Sequence, residues 1–73
     1  MTHVAKIIEL VGSSDKGWTE AAQAALDEAK KTIKDITGLE VNDITASVNP
    51  NTNTIKEYKV GVKIAFGVIN ENN

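Results

Sequence analysis

From Ile55 to Val68 the chain reads IKEYKVGVKIAFGV, with Tyr58, Val60, Val62, Ile64, Phe66 and Val68 on even positions. The odd positions carry Ile55, Glu57, Lys59, Gly61, Lys63, Ala65 and Gly67, mostly small or charged. Alternation held this long predicts one β-strand with its even face buried. A shorter stretch, Val4–Val11, predicts another. There Ala5, Ile7 and Val11 share a face with Glu9, while Val4, Ile8 and Leu10 share the other with Lys6. Both faces are too apolar for a strand solvated on one side, so both are expected to be partly covered. Between them the period changes. Over Trp18–Ile36, Trp18, Ala22, Ala25, Leu26, Ala29, Ile33 and Ile36 recur at three- and four-residue spacing, the apolar stripe of a helix. Leu39–Val48 returns to strand alternation but changes phase: Leu39 and Val41 are in step, then Ile44, Ala46 and Val48 in the opposite step. Either a β-bulge near Asn42-Asp43 absorbs one residue, or this strand is apolar on both faces.

Punctuation residues fall between these blocks. Gly12-Ser13-Ser14-Asp15 is expected to end the first strand, with Ser14 or Asp15 capping the helix. Thr37-Gly38 is expected to stop it, Gly38 taking the left-handed position and Leu39 the accompanying apolar contact. Asn49-Pro50-Asn51-Thr52-Asn53-Thr54 reads as a hairpin loop, and Asn70–Asn73 as a polar tail. The order is β-α-β-β, an α+β fold. A right-handed crossover leaves room for the third strand between the other two, giving a three-stranded antiparallel sheet of order 1-3-2 with the helix on its even face.

Lengths then conflict. Fourteen strand residues run roughly 45 Å at ~3.3 Å each, and nineteen helical residues roughly 28 Å at ~1.5 Å each. One helix cannot roof that strand. With 73 residues the chain makes one domain, of a size that ordinarily needs disulfides, a metal or oligomerisation. There is no Cys, and His3 has no second imidazole to join it. Association with further copies of itself is what remains. The net charge of −2, with lysines interspersed among acids, points away from nucleic acid and anionic membranes. Without a transmembrane-length apolar run or a signal-like start, the expected location is the cytoplasm.

Candidate chemistry is sparse. Gly12-Ser13-Ser14, between strand and helix, is similar to a phosphate-binding turn but lacks the glycine spacing of one; a Ser cap explains it as well. Glu40, Asp43 and Glu57 are oxygen donors suited to a divalent ion in an assembly, yet without loop spacing they read as solvated surface. Trp18 reads as a packing anchor at the helix start. Gly61 and Gly67 read as relief of curvature in a long strand. No nucleophile, histidine and acid set is present, which argues against an enzyme.

Taken together, KIIELVGSS, GWTEAAQAALDEAKKTIKDI, LEV and IKEYKVGVKIAFGV resemble the dodecin family over nearly the whole chain. The resemblance implies a sheet wrapped around one helix and a hollow homododecamer of cubic symmetry. It also implies flavin storage, with pairs of rings stacked between aromatic side chains near two-fold axes. The family positions of the flavin site fall on Gly38, Leu39, Thr45, Tyr58 and Lys59. At these places the chain departs from the pattern. Gly38 stands where flavin-binding members have the stacking Trp. Lys59 stands where a Gln bonds the ring, and an ammonium donates but cannot accept. Thr45 and Gly67 replace Arg found in several bacterial members. Each lost stacking contact is worth roughly 1–3 kcal/mol.

Three functions are weighed on this basis. The first is a dodecin-like homo-oligomer binding, storing or sequestering a small ligand, its usual flavin site degraded, with an ion on a symmetry axis as one occupant. The second retains riboflavin or FMN in an altered pose through Tyr58, Lys59 and the Leu39 region. The third, a catalyst at a subunit interface using Lys59 or Glu57, has no base and nucleophile pair to support it. The length mismatch yields a direct prediction. Native mass at micromolar concentration should exceed that of one chain, and dilution to single chains should loosen the core. A well-folded lone subunit at high dilution would contradict it.

Overall fold

The computed structural model describes residues 2–70, with side chains from Val4 to Gly67; the His3 side chain and residues 71–73 of the expected tail lie outside the described residues. The chain runs β1 (Thr2–Ser14), α1 (Trp18–Lys30), β2 (Ile36–Asn49), β3 (Thr54–Asn70). The strands form one antiparallel sheet in the order β1-β3-β2, as the alternation and crossover argument requires. The middle strand, β3, is the longest at 17 residues. Its even face is buried: Val60, Val62 and Ile64 pack on Ala21, Ala25 and Ala29 of α1. Ile8 and Leu10 of β1, Ala22 and Leu26 of α1, and Ile33 and Ile36 beyond it close the margins of this core.

The phase change in β2 is a bulge. Val41 pairs with Val62 and Asp43 with Gly61, leaving Asn42 extra, so Leu39, Val41 and Ile44 all turn to the helix side. Further irregularities fall between Ile36 and Gly38 and between Ser47 and Val48. The hairpin loop closes on Asn49, through both its side chain and its carbonyl. Asn51 N–H donates to Asn49 Oδ1 at 2.9 Å, Asn53 N–H to the Asn49 carbonyl at 2.8 Å, and Asn53 takes φ 57°.

The helix differs from expectation at both ends. At its start neither Ser14 nor Asp15 is the cap. Gly17 holds that position without a side-chain bond, and Ser14 Oγ instead accepts the Lys16 N–H at 2.9 Å. Gly12 to Ser14 continue β1, so no phosphate-binding turn forms there. The helix also stops at Lys30, six residues before Ile36. Bonds from Thr32 and Ile33 N–H to the Ala29 carbonyl end it, and Asp35 turns the chain at φ 61°, a conformation that aspartate tolerates better than most side chains. Ile36 is then a strand residue opposite Phe66, and the Asp35 carbonyl accepts the Gly67 N–H at 3.0 Å. Strand pairing outweighs the helical period because it satisfies backbone groups and partly covers Ile36 in one step. Gly38 is therefore not a helix stop; it lies within β2 with ordinary φ. On the exposed helix face, Gln23 Nε2 donates to Asp27 Oδ1 at 2.8 Å. This bond, with Lys30 at 3.4 Å, holds the Asp27 carboxyl below its usual value.

The helix–sheet contact is unusually close. A Cβ on Gly12 would collide with the Ala21 carbonyl oxygen and come within 3.0 Å of the Ala25 nitrogen, so only glycine lets α1 cross β1 here. Ala21, buried completely, belongs to this contact although the stripe read from sequence passed it by. The result is open rather than globular. The molecule extends 60 × 20 × 13 Å with a radius of gyration of 15.7 Å, against about 11 Å for a compact domain of this length. Its surface is 5327 Å², where a compact monomer of this mass exposes about 4,400 Å². No described helix is long and apolar enough to cross a membrane.

Two substitutions test the contact. Gly12→Ala should destabilise the fold by about 3 kcal/mol, the upper end of overpacking, and Ala25→Leu by about 1–3 kcal/mol. Both should appear as lower midpoints in denaturant. An unchanged midpoint for Gly12→Ala would mean that the helix seats further out.

Candidate functional site

The register places the candidate residues on two sides of one sheet. Gly38, Thr45 and Lys59 project to the side away from α1, with Gly38 opposite Ala65 and Thr45 opposite Lys59. Leu39, opposite Ile64, and Tyr58, opposite Ala46 and Ser14, belong to the helix side. Gly38 and Lys59 also lie at opposite ends of the outer face, since Ala65 and Lys59 are six residues, roughly 20 Å, apart along β3. A single chain thus does not bring the five residues together. Any site using all of them needs a neighbour.

Each end has its own character. Tyr58 meets Trp18 edge to face, ring centroids 4.7 Å apart at 78°, which anchors the start of α1 to β3. Beside it on the outer face, Lys59 Nζ stands 4.0 Å from Glu57 Oε1, both partly exposed. Around Gly38 the sheet is bare. A Cβ there would meet nothing within 4 Å, and the shallow cleft of about 210 Å³ is lined by Ile7, Gly38, Leu39, Glu40, Lys63 and Ala65.

Between the two ends, Lys63 of the central strand stands opposite Glu9 of β1 and Glu40 of β2. A second cleft, about 320 Å³, lies where Glu9 and Val11 face Asn42, Asp43 and Gly61. Sequence reasoning singled out Glu40, Asp43 and Glu57, but only the register shows Glu40 and Asp43 in different rows and Glu57 further along. Ile7, Glu9 and Val11 of β1 were missed as site residues. Their signal was the apolar character of both faces of that strand. Among the described residues no cluster of three metal-ligating side chains forms within one chain.

A small β-α-β-β unit whose long central strand carries one short helix, and whose outer face is left open, defines a class of small open-sheet α+β proteins. The family model for dodecin matches residues 4–68. The dodecin of Thermus thermophilus is 38% identical over 66 residues, covering 90% of this chain and 93% of that protein. Among solved structures, an arginine-to-alanine variant of the T. thermophilus dodecin superposes with a TM-score of 0.86 at 35% identity, covering 94% of this chain and all of the other. A calcium dodecin of Mycobacterium tuberculosis, whose calcium-binding site is described as novel, shares the fold at TM-score 0.75, 24% identity and 96% coverage of both chains. The chain belongs to the dodecin family.

Because Gly38 is an open strand position, an aromatic ring there costs the subunit nothing sterically. Gly38→Trp should fold, with a circular dichroism spectrum of native shape and a thermal midpoint within a few degrees of the parent. Loss of the fold would indicate a structural need for glycine that the backbone does not reveal.

Proposed function

We propose that the chain forms a dodecin-type hollow homododecamer that binds and stores or sequesters a small ligand, and that its flavin site has lost its grip on the ring. The resemblance to this family implies flavin held between stacked aromatic side chains, and on that reading the place of the stacking Trp is the bare outer-face residue Gly38. That observation carries the reading. Lys59 deepens it: its ammonium has no acceptor for a ring N–H, and its nearest charged neighbour is Glu57. Thr45, across from Lys59, supplies a hydroxyl where a guanidinium would hold a phosphate. The role is binding rather than catalysis, since Glu57 and Lys59 are exposed side chains whose charges face each other. An ion seated where several copies meet is the other occupant this surface admits, because Glu9, Glu40 and Asp43 all open to it.

Flavin held in a changed pose through Tyr58, Lys59 and Leu39 is the competing assignment, and it requires residues from both sides of the sheet on more than one copy. Titrating riboflavin or FMN with the assembled protein distinguishes them. Flavin fluorescence should stay unquenched at micromolar protein. Strong quenching there would overturn the proposal in favour of the changed pose. The double variant Gly38→Trp, Lys59→Gln should recover quenching, by 10-fold or more in affinity if each restored contact returns about 1–3 kcal/mol. A folded double variant that still ignores flavin would show that Gly38 and Lys59 are not the positions that set affinity.

A further inference from the structure

The outer face of β3 carries two lysines, and the register gives them opposite surroundings. Lys63 lies between two carboxylates, Glu9 on β1 and Glu40 on β2. Lys59, on the same strand, lies between two hydroxyls, Ser13 on β1 and Thr45 on β2. Residues directly opposite in an antiparallel pair have Cβ atoms about 5 Å apart, so both hydroxyls flank the Lys59 side chain closely. The ammonium is not spent elsewhere. Glu57 Oε1 stands 4.0 Å from its Nζ, beyond hydrogen-bond distance, and both side chains are partly exposed.

We infer that Ser13, Lys59 and Thr45 form a cradle for one oxyanion group, a phosphate or a carboxylate, of the stored ligand. Lys59 brings a full charge and several N–H donors, and a hydroxyl on each side adds an O–H donor. Hydrogen bonds to an ionised group are roughly twice as strong as neutral ones, and here both the lysine and its guest are charged. Lys63 has no such role, because the carboxylates beside it match its charge and repel an anion. Two acids border the cradle. Glu57 lies in the row beyond, and Asp43 in the row before, its Oδ2 3.5 Å from the place a Cβ on Gly61 would take. They confine the guest to the single row of Lys59 and weaken its hold. The inference rests on the storage role proposed above and names the chemical class of what is stored.

Calorimetric titration of the assembled protein with inorganic phosphate, and separately with acetate, in about 0.1 M sodium chloride tests it. At least one should bind, and more salt should weaken it. Lys59→Gln should weaken that binding by about 10-fold or more, and Ser13→Ala and Thr45→Val by about 2- to 10-fold each. Glu57→Gln should tighten it by about 2- to 5-fold. Lys63→Gln, roughly 13 Å away along β3 and beyond the ~10 Å screening length, should change it by less than about 2-fold. If circular dichroism shows Lys59→Gln to be unfolded, the double variant Ser13→Ala, Thr45→Val takes its place with the same loss expected. The inference is overturned if neither anion binds, if the folded variant binds as the parent does, or if Lys63→Gln loses as much as Lys59→Gln. Failure of the storage reading shows differently: a parent of single-chain mass, or one that quenches riboflavin, defeats that reading even where an anion still binds through Lys59.

Discussion

The contact on which the rest of this structure depends is the seating of α1 on β1 and β3 through Ala21, Ala25 and Ala29, with Gly12 beneath them. Small side chains let the helix axis approach closely, and the core they form with Val60, Val62 and Ile64 is well buried. Closeness has a geometric consequence. A helix of 13 residues, about 20 Å long, covers the middle of a 17-residue strand that runs about 56 Å. The ends of the sheet, most of β2 on the helix side and the entire outer face are left to other surfaces.

That incompleteness links fold to function. A monomer with a self-sufficient core has no reason to leave Ile7, Val11, Val41 and Ile44 in water. The proposed shell would make the same residues internal, and the proposed ligand positions lie on both sides of one sheet. Gly38 and Lys59 lie roughly 20 Å apart along one sheet, so a ligand touching both would need more than one copy.

Gly38 shows how a local signal misleads. A glycine after a helical period, followed by leucine, is the ordinary mark of a helix stop. The turn is made instead by Asp35, and Gly38 sits where nothing contacts a side chain. Helix termination therefore does not account for the glycine at this position.

Much of the architecture was legible in the alternation of the strands. The order 1-3-2, the even face of β3 as core and the hairpin at Asn49–Thr54 follow from period, phase and turn chemistry, whereas the phase change in β2 left a bulge and a strand apolar on both faces equally open until the register decided. The proposed flavin-site positions were legible only through resemblance to a family, because no local rule marks them. Three features required the tertiary structure. The helix ends at Lys30 because Ile36 is worth more opposite Phe66 than on a helix turn. Gly12 is fixed by the approach of Ala21, a residue distant enough in the chain that no short-range pattern couples them. Glu9, Lys63 and Glu40 share a row only because three strands meet in one register. Periodicity records which face of an element avoids water; which neighbour covers that face is a matter of pairing and distance, and those are decided only when the strands and helix come together.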